Sequence, residues 1–123
     1  RLGNVTPTRD LNYVSNTVDG CLRIAESPEA VGRVLNVGSG RQISIKALAE
    51  LIGRLTGREI AIEQEPQRLR PEHSEVERLQ ADITAAQTVL GWEPAVSLED
   101  GLKMTIEWFK EHRDGYRVGA YVV

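Results

Sequence analysis

The sequence predicts a small α/β unit, α+β-like in character, with about four helices and two or three short strands. Apolar residues recur at helical spacing in stretches that open on capping residues and close at glycine or proline. Between them lie short runs rich in β-branched residues or alternating polar with apolar. A long polar stretch, 64–81, has two prolines and no clear period, and irregular segments of that length are often functional.

Residues 1–14 read as extended, because Pro7 blocks an early helix. Ser15 or Asn16 can then cap a helix that places Val18, Cys21, Leu22 and Ala25 on one face and stops before Pro28. Arg33-Val34-Leu35-Asn36-Val37 reads as a short strand halted by Gly38-Ser39-Gly40. Ser44 caps the clearest helix, with Ile45, Leu48, Leu51, Ile52 and Leu55 at helical spacing and Gly57 as its stop. Glu59-Ile60-Ala61-Ile62-Glu63 alternates as a half-buried strand does. Asp82 caps a short helix ending at Leu90-Gly91. Ser97 with Asp100 resembles a capping box for a last helix bearing Leu98, Leu102, Thr105, Ile106 and Phe109. Residues 113–123 form a tail that fits a strand, a partner contact or a disordered end.

At 123 residues the chain is one domain's worth of protein, long enough to bury a core without metal or disulfide staples. Its net charge of −3 gives it no general attraction to nucleic acid or anionic membrane, so any anion site must be local. The single cysteine, Cys21, cannot make an internal disulfide; it reads as a buried packing residue in a reducing, cytoplasmic setting. Two histidines, His73 and His112, without a nearby cysteine argue against a metal site. No apolar run has the length of a membrane span. The chain opens at Arg1, without methionine, in what reads as a loop, which suggests an excised or truncated piece.

Three stretches carry candidate chemistry: Arg9-Asp10-Leu11-Asn12-Tyr13-Val14, Leu35-Asn36-Val37-Gly38 and Arg70-Pro71-Glu72. A planar guanidinium meets phosphate with two parallel hydrogen bonds, so two arginines and an amide from separate segments would suit a diphosphate. Taken singly, each has a plainer reading: arginines are usually solvated, and the Asn36 amide can be satisfied by backbone. Gly38-Ser39-Gly40 follows an extended run and precedes a helix, where phosphate loops sit. The third glycine of a dinucleotide fingerprint is replaced by Ile43, so a simple turn is the better reading. No Tyr-x-x-x-Lys pair occurs anywhere in the chain.

In this order the motifs resemble the C-terminal part of extended short-chain dehydrogenases, the NAD-dependent nucleotide-sugar epimerases and 4,6-dehydratases. The closing run is the most specific: Ala81-Asp82-Ile83-Thr84-Ala85-Ala86, Leu90-Gly91-Trp92-Glu93-Pro94 and Ser97-Leu98-Glu99-Asp100-Gly101-Leu102. The likeness covers residues 5–112, and the Arg68-Leu69-Arg70-Pro71 wording leans toward the 4,6-dehydratases. It implies that residues 1–112 are the small substrate-binding portion of a Rossmann-type enzyme whose N-terminal Rossmann half is absent here.

By the same resemblance, Arg9, Asn36 and Arg70 match positions that bind the substrate diphosphate, His73 is a further candidate, and Tyr13 packs. The chemistry would use a tyrosine base and NAD, neither held by this chain, so the isolated chain would be an inactive piece of a lyase or isomerase. One departure is Ser15-Asn16, where the family often carries an acidic residue. The expected partners are a nucleotide sugar, the missing half and further copies of the chain. A stand-alone nucleotide- or protein-binding module without catalysis is the alternative reading.

Overall fold

A computed structural model describes residues 1–69 and 76–112. Four helices and one three-stranded mixed sheet make up the α/β fragment: α1 (Val14–Glu26), α2 (Ile45–Thr56), α3 (Thr84–Leu90) and α4 (Leu98–Glu111), with β1 (Thr8–Arg9), β2 (Ile43–Ser44) and β3 (Arg78–Leu79). The strand order is β2-β1-β3. Thr8 and Arg9 face Ser44 and Ile43 antiparallel on one side, and Arg78 and Leu79 in parallel on the other. The tail 113–123, Arg70 and His73 lie outside the described residues.

Helix ends follow the sequence where a side chain can reach a free amide. The Ser44 hydroxyl accepts from Ala47 N at 3.1 Å to start α2, and Gly57, at φ 65°, ends it. Ser97 accepts from Asp100 N at 3.1 Å and donates to Asp100 Oδ2 at 2.6 Å, a closed variant of the capping box. At α3 the expected cap is displaced: the N-cap is Ile83, with no side-chain cap, and the Asp82 carboxylate accepts from Thr84 N at 3.0 Å one residue earlier; the helix ends at Gly91 as expected.

Several expectations need correction. Neither Ser15 nor Asn16 caps α1: the helix opens after Tyr13 with no side-chain cap, because Asn16 is turned inward and buried. Residues 33–37 form no strand: Val34 is 92% exposed, and the run hydrogen-bonds to the 81–82 segment through the Asn36 side chain, which donates to Asp82 O. The 59–63 run also stays outside the sheet; only Gln64 makes an isolated parallel bridge, to Leu2. Conversely, the stretch read as irregular contributes β3, whose two residues are too few to leave an alternation in the sequence. Cys21 is exposed, not buried, because its face of α1 has no cover among the described residues.

The core is small and centres on Trp92, 1% exposed, with Val5, Ala30 and Ala86. Gly20 of α1 lets the helix approach: a Cβ there would stand 2.7 Å from Val37 Cγ1 and 3.3 Å from Trp92 Cε2. Asn16, 3% exposed, acts as a polar rivet between α1 and the loop before α4. Its Oδ1 accepts from Val96 N at 2.9 Å, and its Nδ2 donates to Val96 O and Asn12 Oδ1, each at 2.9 Å. Every amide atom is used, which is how a buried polar side chain escapes its desolvation cost.

Candidate functional site

Arg9 occupies the middle strand and is half-buried. Its Nη1 donates to Thr8 O at 2.8 Å and to Val76 O at 2.6 Å. The guanidinium therefore fastens the chain at residue 76, immediately after the stretch that carries Arg70 and His73. Asn36 is exposed, and its Nδ2 donates to Asp82 O at 3.1 Å. Arg9 and Asn36 thus hold carbonyls at opposite ends of 76–82, up to ~20 Å apart at roughly 3.3 Å per extended residue. Arg68, in the same polar stretch, is paired with Glu65 at 2.5 Å, and that contact holds the Glu65 carboxyl below its ordinary value.

The residue beside Arg9 is a functional candidate that sequence pattern alone does not single out. Asp10 Oδ1 accepts from Ser39 N at 2.8 Å and Ser39 Oγ at 2.5 Å; its Oδ2 accepts from Gly40 N at 3.0 Å and Ala81 N at 3.1 Å. An internal carboxylate fills the place where a phosphate would sit in the Gly38-Ser39-Gly40 turn. That turn does not fit a dinucleotide pyrophosphate, because its Ser39 and Gly40 amides are already engaged. The available signal was an acidic residue flanking an apolar stretch, in a chain whose Gly38-Ser39-Gly40 turn needs an acceptor. Asn16 was missed in the same way, having been read as a cap.

Tyr13 packs: its ring lies against Gly101 of α4, where a Cβ would come within 2.9 Å of Tyr13 Cγ. A groove of about 680 Å³ is lined by Leu11, Ile43 and Ile83 together with the polar Arg41, Gln87 and Glu93, and neither Arg9 nor Asn36 borders it. Among the described residues no group of His, Cys, Asp and Glu could hold a metal, and no helix is long and apolar enough to cross a membrane.

Residues 1–105 match the family model described as GDP-mannose 4,6 dehydratase. The chain is 34% identical over 111 residues to UDP-glucuronate 4-epimerase of Thermodesulfobacterium geofontis, covering 89% of this chain and 32% of that protein. It is 35% identical over 108 residues to UDP-glucose 4-epimerase of Mycolicibacterium smegmatis, covering 88% of this chain and 33% of the relative. Among solved structures, UDP-glucose 4-epimerase of Thermotoga maritima with UDP-glucose superposes with a TM-score of 0.80 at 34% identity, over 92% of this chain and 35% of that one. UDP-glucuronic acid 4-epimerase from Bacillus cereus in complex with NAD gives a TM-score of 0.74 at 28% identity, over 97% and 35%.

A partial α/β unit of this kind, with its motifs in this order, defines the class. The chain belongs to the NAD-dependent nucleotide-sugar epimerase and 4,6-dehydratase family. It spans about a third of the length of the curated relatives it matches.

Proposed function

We propose that this chain is the part of an NAD-dependent nucleotide-sugar 4,6-dehydratase or epimerase that grips the diphosphate of the substrate. Arg9 and Arg70 supply the guanidinium groups, with His73 and, from the other end of the 76–82 segment, Asn36 as further donors. The observation that carries this reading is Arg9 itself: half-buried on the central strand, its guanidinium donates to the backbone at Val76, six residues after Arg70 in the sequence. Asn36 spends one amide hydrogen on Asp82 O and keeps a second N–H and its oxygen for another partner.

The relatives named above, one with UDP-glucose and one with NAD, support a nucleotide sugar as ligand and NAD as cofactor of the intact enzyme. NAD would supply hydride transfer there, and the residues of this chain would only hold the sugar nucleotide in place. The α1 stripe of Val14, Val18 and Leu22, with Val31 and Val34, fits a face that packs against a nucleotide-binding half.

Calorimetric titration of the chain with UDP-glucose and with uridine tests the grip. UDP-glucose should bind weakly yet at least about tenfold tighter than uridine, and Arg9→Ala should remove most of that difference, about 1.4 kcal/mol or more. Equal affinity for the two ligands would sink the assignment. A stable monomer that binds UDP-glucose strongly and needs no second half would favour a free-standing binding module instead.

A further inference from the structure

The Asp10 carboxylate has more partners than any other acidic side chain described, and neither Arg9 nor Asn36 contributes one. We propose that Asp10 is a positioning residue of the diphosphate grip, acting through the 76–82 segment and its chain neighbour Arg9. The inference rests on the assignment of Arg9 to the substrate diphosphate.

The geometry ties three distant pieces of chain to one point. Asp10 N donates to Leu79 O at 2.9 Å while Ala81 N donates back to Asp10 Oδ2 at 3.1 Å, so residues 79–81 are fixed to the backbone beside Arg9. Thr8 N donates to Glu77 O at 2.8 Å, and the Arg9 guanidinium closes the row at Val76 O. The other oxygen, Oδ1, anchors Ser39, so the turn cannot drift away from the strand. Gly38 leaves room for this: a Cβ there would fall 3.0 Å from Asp10 Oδ2 and 2.5 Å from Ala81 Cβ.

Four donors converge on the two carboxyl oxygens, two on each. Hydrogen bonds to an ionised acceptor are roughly twice as strong as neutral ones. An asparagine here would have to aim its NH₂ at either the Ser39 pair or the Gly40 and Ala81 pair, setting donor against donor. One of the two links would open, and with it the line of the segment leading back to Val76 and Arg9.

The test compares UDP with uridine as calorimetric probes on the full 123-residue chain, at a temperature where circular dichroism shows each variant folded. In the wild type, the excess of UDP over uridine affinity reports the diphosphate. Asp10→Asn should reduce UDP affinity about tenfold with uridine unchanged, and Ser39→Ala, which removes the hydroxyl's contacts to Asp10 and to the Arg41 backbone but keeps the Ser39 amide bond, should cost roughly two- to threefold. An Asp10→Asn chain that keeps the full UDP excess, or loses UDP and uridine in parallel, overturns the positioning role while leaving the Arg9 assignment standing. A wild-type chain with no UDP excess removes the diphosphate assignment, and the positioning role falls with it. Should Asp10→Asn not fold, Ser39→Ala decides: a selective loss of UDP supports the role, and unchanged UDP binding refutes it.

Discussion

Helices α1 and α2 are nearly equal in length, 13 and 12 residues, and both carry an apolar face at helical spacing. Their surroundings differ sharply. The α2 face, with Ile45, Leu48, Leu51 and Leu55 at least partly covered, packs against α4 and the strand it grows from, and its ends are closed by Ser44 and Gly57. The α1 face leaves Val14, Val18 and Leu22 64%, 51% and 57% exposed, and no side chain caps its start. Periodicity reports that a face needs cover; it does not say which part of a protein supplies it. What α1 does bury is its opposite side, through Asn16 and Gly20.

The largest effect should come from Trp92, which supports that buried side. Trp92→Ala is expected to cost about 3–5 kcal/mol in a urea unfolding experiment, because the indole is fully enclosed. Its Nε1 has no hydrogen-bond partner in the structure, so the loss is one of packing, not polar contact. A cost below about 1 kcal/mol would mean that α1 is not held through this core at all.

Asn16→Asp should come next. The carboxylate would face Val96 O and Asn12 Oδ1, both acceptors, so burial and repulsion would raise its folded-state pKa above the ordinary value of about 3.9. A raised pKa means that any penalty is absent below about pH 4 and grows as the pH rises through the folded value, toward roughly 3 kcal/mol at neutrality. Denaturation midpoints that do not change between acid and neutral pH would show the rivet to be solvent-accessible.

A smaller effect separates the two helix starts directly. Ser44→Ala removes a working cap and should cost about 1 kcal/mol, whereas Ser15→Ala should stay within about 0.5 kcal/mol. Equal losses would contradict the difference in capping. The smallest effect lies at α4, where the Ser97 hydroxyl, and after it Lys103, hold the Asp100 carboxyl below its ordinary value. A depressed pKa stabilises above the unfolded value and is lost as the pH falls through the folded one. Asp100→Asn should therefore flatten the acid limb of a stability–pH curve below about pH 4, slightly, since the group is exposed.

Much of the fold was legible because its signals are local. Ser44, Gly57, Ser97 and Gly91 announce helix ends through contacts only a few residues away. The strands were misplaced because a strand exists only beside a partner. Among the described residues the well-patterned run at 33–37 makes no ladder and that at 59–63 meets Leu2 only at its end, while Thr8, Ser44 and Arg78 find one another across the chain. At the candidate site, Arg9 stood out by charge and motif, but Asp10 could not, since its donors lie 29 to 71 residues away. Asn16 was hidden for the same reason: its partner Val96 is 80 residues distant.

That separation has a consequence for the order of assembly. A helix turn closes within a few residues and forms in well under a microsecond, whereas the Asp10 clasp must wait for residues 39–40 and then 81 to arrive. Loop closure grows costlier only slowly with length, so the delay comes from needing two closures at one carboxylate. In contact-order terms, α1, α2 and α4 are expected to form early in folding, and the row of bonds that aligns Arg9 is expected to lock late, an order that φ-value measurements would check.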